Sequence, residues 1–135
     1  MTITEADRNT LLQYRIQQAH DTIEDVRLLL EHDRLRLAVN RIYYGMFYIL
    51  TALALLFQFK TSKHQGLIGW FSKNFIKDNK IDRKYGEIIH KAFKSRTDSD
   101  YGDFINYEKA DVLKMFAEMQ DFISTIEKYI DGLNT

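Results

Sequence analysis

The 135-residue chain has no net charge at neutral pH, is 45% hydrophobic and 28% charged, and contains neither cysteine nor proline. That length suits one domain, 1–135, able to bury roughly two-thirds of its unfolded surface, and the composition is that of a folded chain. Lack of cysteine excludes disulfides and thiolate chemistry, and the neutral total argues against a surface that grips nucleic acid all over.

The opening MTITEADRNT lacks the basic and apolar regions of a signal peptide, so a cytoplasmic location is expected. A first helix should start after Thr2 or Thr4, with Glu5 and Asp7 favourable in its first turn. Leu12, Ile16, Ala19, Ile23, Val26 and Leu30 step by three and four and keep one apolar stripe. Glu31-His32-Asp33 breaks it. A second helix then runs from about Arg34 to Phe57. It holds no charge from Ile42 to Phe59, near the minimum for a bilayer span. Its tyrosines and its flanking Arg41 and Lys60 instead suit a central core helix, and no membrane is expected as a partner.

Ser62 is placed to cap a third helix from Lys63 to about Phe75, and Asp78-Asn79-Lys80 reads as a turn. Asp82 should cap a fourth helix whose buried side is Tyr85, Ile88, Ile89, Ala92 and Phe93. SRTDSDYGDF, residues Ser95 to Phe104, crowds aspartate, serine and glycine and predicts a break after Arg96. Asn106 or Asp103 should cap the last helix. There Val112, Phe116, Met119, Ile123, Ile126, Ile130 and Leu133 form the strongest periodic signal of the sequence. No period-2 run appears, so the expected fold is an all-α bundle of about five helices around a long central apolar helix.

The neutral total conceals an uneven distribution. Residues 60–96 hold 10 basic and 3 acidic groups, whereas residues 97–135 hold 3 basic and 9 acidic ones. A basic middle can face a polyanion, or the acidic tail of the same or a neighbouring chain.

No Gly-rich phosphate loop, paired cysteines or His-Glu-x-x-His occurs, and the four histidines show no ligand spacing, so neither a metal nor a cofactor is expected. The residues left for chemistry are Arg96 and Tyr101. In an unbroken helix they would diverge by about 140° around the axis, but a break after Arg96 can bring Tyr101 back beside it. The alternative is structural: Arg96 pairs with Asp100 and Tyr101 fills the core. Asn40 and Arg41 either line a site with Arg96 or pair with an acidic neighbour. Tyr43, Tyr44 and Phe47 read as core or dimer contacts rather than base-stacking platforms. Lys63 and His64 are either anion ligands or a surface charge and a packing histidine.

Asn40-Arg41-Ile42-Tyr43-Tyr44-Gly45-Met46-Phe47, Lys63-His64-Gln65-Gly66, Phe93-Lys94-Ser95-Arg96 and Asp100-Tyr101-Gly102-Asp103-Phe104 together resemble HEPN domains. The likeness is to the small stand-alone proteins often encoded beside a minimal nucleotidyltransferase. It extends from about residue 10 to 130. The resemblance implies a helical homodimer with the loop after its fourth helix at the interface. In many such domains an arginine and a histidine form a metal-independent ribonuclease site, and some are toxins restrained by the nucleotidyltransferase. Arg96 matches the arginine, but Tyr101 stands where the histidine would be, and tyrosine is a poor base at neutral pH.

Three functions follow as expectations. The first is a nucleotide- or RNA-binding module, with Arg96, Asp100, Tyr101, Asn40, Arg41, Lys63 and His64 as binding residues. It would act with a nucleotidyltransferase partner, as the toxin half of a toxin–antitoxin pair. The second is a metal-independent endoribonuclease with Arg96 and Tyr101 as catalytic residues, or with His64 replacing the missing histidine. The third is a non-catalytic interaction subunit. Tyr101 and Tyr107 are the candidates for adenylation by the partner.

Overall fold

The computed structural model describes residues 3–102 and 106–133. Five helices, α1 (Glu5–Glu31), α2 (Leu35–Leu56), α3 (His64–Phe71), α4 (Arg83–Tyr101) and α5 (Lys109–Leu133), make up the all-α bundle, with no strand among the described residues. Thr4 caps α1, its hydroxyl accepting from the Asp7 amide at 3.1 Å, and Asp82 caps α4, accepting from the Lys84 amide at 2.9 Å.

Three element ends close in the same way. The amides of Asp33 and Arg34 reach back to the carbonyls of Leu30 and Leu29. Those of Gln58 and Phe59 reach Leu55 and Ala54, and those of Asn79 and Lys80 reach Ile76 and Phe75. Each pair is a Schellman closure, with Asp33, Gln58 and Asn79 taking the left-handed position usual for glycine, at φ 57°, 54° and 56°. These closures create the turns expected at 31–33 and 78–80.

The short turn after α1 folds α2 back along it, and α2 also packs against α3, α4 and α5. It is long and apolar enough to cross a membrane, yet 11 of its residues, from Ala38 to Ala54, are buried inside the bundle. The α5 stripe is buried from Val112 to Ile130, joined by Met115 and Phe122, whereas Leu133 is exposed. On α1, Thr22 is buried with its hydroxyl donating to the Gln18 carbonyl, and Ile23 lies at the core's edge. Gly45 lets α2 approach its neighbours: a Cβ there would stand 2.2 Å from the Met119 methyl and 3.4 Å from the Thr22 methyl. The glycine after Tyr44 therefore serves packing.

Several expectations are corrected. Ser62 does not cap α3; Lys63 occupies that position without a side-chain cap, and it is Thr61 whose hydroxyl accepts from the Lys63 amide. The third helix is regular only to Phe71 and continues as a π-helical turn, Ser72–Ile76. That turn keeps both Phe71 and Phe75 buried, their ring centroids 5.9 Å apart. Asn106 does not cap α5, which begins three residues later; Asp103 lies outside the described residues.

The largest correction concerns residues 95–101, which continue α4 instead of breaking it. The side chains expected to compete for backbone are occupied elsewhere. Thr97 donates to the Phe93 carbonyl at 2.9 Å, and Ser99, buried, donates across to the Arg36 carbonyl at 3.4 Å. Lys94–Asp98 and Arg96–Asp100 pair one turn apart, and the Gly102 amide closes the helix on the Asp98 carbonyl at 2.7 Å. Tertiary and i,i+4 partners override the local preference.

Candidate functional site

Continuous helix through Tyr101 decides the geometry. Asp100 falls one turn beyond Arg96 on the same face, against α2, while Tyr101 turns away and is 79% exposed. Tyr101 therefore neither joins Arg96 within the subunit nor fills the core.

What meets Arg96 comes from α2 and the start of α3. Its Nη2 donates to the Tyr44 hydroxyl at 2.8 Å, and its guanidinium carbon lies 5.4 Å and 5.2 Å from the rings of Tyr43 and Tyr44. Its Nε lies 3.4 Å from Asp100 Oδ2, within ion-pair range, but the alignment makes no hydrogen bond, leaving Nε as a buried donor without a partner. Burial works to lower the Arg96 pKa. The Tyr44 hydrogen bond and the charges of Tyr44, Asp100 and Tyr43 outweigh it, so the pKa is raised and the cation is fixed.

Asp100 is held from the other side. Asn40 Nδ2 donates to its two oxygens at 3.2 and 3.4 Å, and Arg41 Nε and Nη2 donate to Asn40 Oδ1 at 3.0 and 2.9 Å. Arg41 also lies 4.7 Å from the Tyr44 ring, so that ring is within reach of two guanidinium groups. Asn40 thus reaches an acidic neighbour that is part of the Arg96 cluster, and Arg41 joins the cluster through Asn40 and the Tyr44 ring. The α4 end is tied down again by Arg36, whose Nη2 donates to the Gly102 carbonyl at 3.0 Å.

His64 completes the cluster. Its imidazole stacks on Phe47 at 4.0 Å and 9°, and its Nδ1 is 2.7 Å from the Tyr43 hydroxyl. Burial first, and then the Arg96 charge, lower the His64 pKa, so the ring is neutral at pH 7. Burial raises the Tyr43 pKa beyond the ordinary phenol range despite Arg96. A protonated Tyr43 can donate to Nδ1, which leaves the imidazole proton on Nε2. The sign for stability follows: with a lowered folded pKa, the unfolded chain binds more protons below about pH 6.5, so His64 contributes fully above that pH and loses its contribution as pH falls.

Lys63 stands exposed at the edge, beside His64 in sequence. Tyr107 lies apart from the guanidinium, half-buried, donating to the Ser95 carbonyl at 3.2 Å. Residues 103–105 of the expected functional loop lie outside the described residues. Tyr43 is a core residue, as the sequence suggests, and Tyr44 and Phe47 pack at the core's edge, where they also meet Arg96 and His64. The usable signal was spacing: Asn40, Tyr44 and Phe47 follow one face of a helix at steps of four and three. Among the described residues no cluster of three or more His, Asp or Glu could hold a metal ion.

The arrangement is an electropositive arginine, a neutral imidazole and a shelf of aromatic rings on an all-α bundle. A family model for the HEPN domain matches residues 12–129, which include every residue of this cluster, and the chain belongs to that family. It is 33% identical over 127 residues to a UPF0332 protein of Thermotoga maritima, an alignment covering 94% of this chain and 96% of that protein. It is 32% identical over 123 residues to "Putative toxin MJ0142" of Methanocaldococcus jannaschii, covering 91% and 84%. A second protein of that organism, "Putative toxin MJ0605", is 33% identical over 118 residues, covering 87% of each chain.

Proposed function

We propose that this HEPN protein is a cytoplasmic homodimer that holds RNA phosphate at Arg96 and works with a minimal nucleotidyltransferase as the toxin half of a toxin–antitoxin pair. The observation that carries the reading is the Arg96 fork. It is a fixed cation with one N–H on Tyr44 and its Nε against the Asp100 carboxylate, set beside Arg41 and a neutral imidazole. A phosphate suits the fork's remaining N–H groups, and the half-buried rings of Tyr44 and Phe47 suit unstacked bases of a single strand. The names of two relatives support the toxin part. Exposed Leu37 and Tyr101, at the end of the bundle where Arg36 meets Gly102, support burial of that end by a second copy.

A second reading, metal-independent ribonuclease, is favoured by one observation: His64, not Tyr101, shares the cluster with Arg96. In its other tautomer, with Nδ1–H donating to the Tyr43 oxygen, His64 has a bare Nε2 that can take the 2′-hydroxyl proton while the 2′-oxygen attacks phosphorus and the 5′-oxygen leaves with a proton from solvent, Arg96 stabilising the added charge. Incubating the protein with total cellular RNA in chelator separates the readings. Binding without cleavage is the expected result. Cleavage abolished by both Arg96→Ala and His64→Gln would establish the ribonuclease, and neither binding nor cleavage by the wild type would overturn both.

We propose that the partner acts on Tyr101. Its hydroxyl group is open to a transferase, whereas the Tyr107 hydroxyl is engaged with Ser95. The Tyr101 oxygen would attack the α-phosphorus of ATP, with pyrophosphate leaving and the phenolic proton passing to solvent. Mass spectrometry after co-expression with an active nucleotidyltransferase should find adenylate on the Tyr101 peptide. An unmodified Tyr101 beside an active partner would remove this assignment.

A further inference from the structure

Phe47 takes part in two features. It carries His64, and it also lines a cavity of about 410 Å³ between α1, α2 and the connection to α3. That is within the size range of small-ligand sites. Its wall is apolar at Phe47, Leu55 and Leu67, and three cations, Arg15, Lys60 and Lys63, stand around it. No acidic side chain lines it. Among the described residues none of the three cations forms an ion pair, although Arg15 is half-buried. Elsewhere Lys80, Lys84, Lys91, Lys94 and Lys109 have carboxylate partners, whereas Lys73, Lys77, Lys114 and Lys128 form no ion pair among the described residues, so it is the convergence of three cations on one apolar wall that sets the cavity apart. A purely apolar pocket would suit a lipid tail or a partner helix, and cations alone would suit any polyanion. An apolar wall ringed by unpaired cations suits a flat base with phosphate on both sides.

We infer that this cavity is a subsite for one nucleotide of single-stranded RNA, next along the strand from the phosphate at Arg96, with the base against Phe47 and Leu55 and its phosphates on Lys60, Lys63 and Arg15. The inference rests on the RNA-binding reading proposed above. The two sites are joined through the rings: Arg96 bonds Tyr44, the Tyr44 and His64 rings lie 5.7 Å apart, and His64 stacks on Phe47. Duplex RNA cannot present a base this way, so the subsite selects single strands.

The test is fluorescence anisotropy of a labelled ten-nucleotide single strand at two salt concentrations. Lys60→Glu and Arg15→Gln should each weaken binding about tenfold and lower the salt slope by about 0.7 per lost phosphate contact. Lys77→Glu, an exposed cation outside the cavity, should leave affinity within about twofold. An abasic strand and inorganic polyphosphate should bind about tenfold more weakly than RNA, and adenosine monophosphate should not displace it. Equal losses in Lys77→Glu, or polyphosphate binding as tightly as RNA, would reduce the cavity to diffuse charge and overturn the inference. Displacement by the mononucleotide would make it a free-nucleotide site and overturn the strand assignment. Retained affinity in Lys60→Glu and Arg15→Gln, with loss in Arg96→Ala, would remove the subsite and keep the RNA reading. No binding by the wild type would remove both.

Discussion

Arg96→Ala is expected to weaken RNA binding by roughly 30-fold or more, the scale of about 2 kcal/mol that accompanies truncating a buried charged partner. The loss should exceed that from any exposed lysine, because Arg96 is largely desolvated and locked by Tyr44 and Asp100. Arg96→Lys should not restore it. An ammonium carries the charge but not the planar fork, and its shorter reach cannot satisfy Tyr44 and a phosphate together. The fold should tolerate the change: Asp100 keeps Asn40, and the lost Tyr44 bond is worth about 1 kcal/mol. Circular dichroism beside an anisotropy titration checks both halves. Loss of helix in Arg96→Ala would mean that the arginine serves the core and not a ligand.

The second large effect is on stability. Phe122, fully buried on α5, has its ring edge-on to Phe71 at 5.9 Å and lies 6.3 Å from Tyr85, so one side chain joins α5 to α3 and α4. Phe122→Ala should cost about 3–5 kcal/mol through lost burial and the cavity left behind, lowering Tm by roughly 10 °C or more. The consequence for the site is indirect but specific. His64 opens α3 and Arg96 rides on α4, so loosening their shared anchor should weaken RNA binding near the new Tm before secondary structure is lost. Unchanged thermal stability would contradict the packing described here.

Much of the bundle could be read from spacing. The α5 stripe from Val112 to Ile130, the α1 stripe through Leu12, Ile16, Ala19 and Val26, and the Thr4 and Asp82 caps all follow from local rules that the packed structure leaves unopposed. Residues 95–101 failed for a physical reason. Their serine, threonine and aspartates look helix-breaking alone, but Phe93, Lys94 and Arg96 engage them one turn away within the helix, and Arg36 supplies a partner for Ser99 that no sequence window contains. The π-helical turn at Ser72–Ile76 is likewise set by the need to bury Phe71 and Phe75 together.

The same error displaced half the site. With a break expected after Arg96, Tyr101 was the natural companion; with the helix intact, Asp100 faces α2 and Tyr101 faces solvent. The resemblance drew attention to Asn40, Arg41, His64 and Arg96, which the fold does bring together. Lys63 came only to the edge. The role of Tyr44 as acceptor for Arg96, and of Phe47 as the stack for His64, needed three dimensions: each contact crosses between helices 17 or more residues apart in sequence. No periodicity encodes that.

The most direct measurement is photo-crosslinking of single-stranded RNA carrying 4-thiouridine, with the modified peptides identified by mass spectrometry. Crosslinks concentrated on the α2 segment from Tyr43 to Phe47 and on the peptide containing His64 are the predicted result, lost in Arg96→Ala. Crosslinks spread over the lysine-rich surface of the π-helical turn and the start of α4, unchanged by that substitution, would contradict a site built on Arg96.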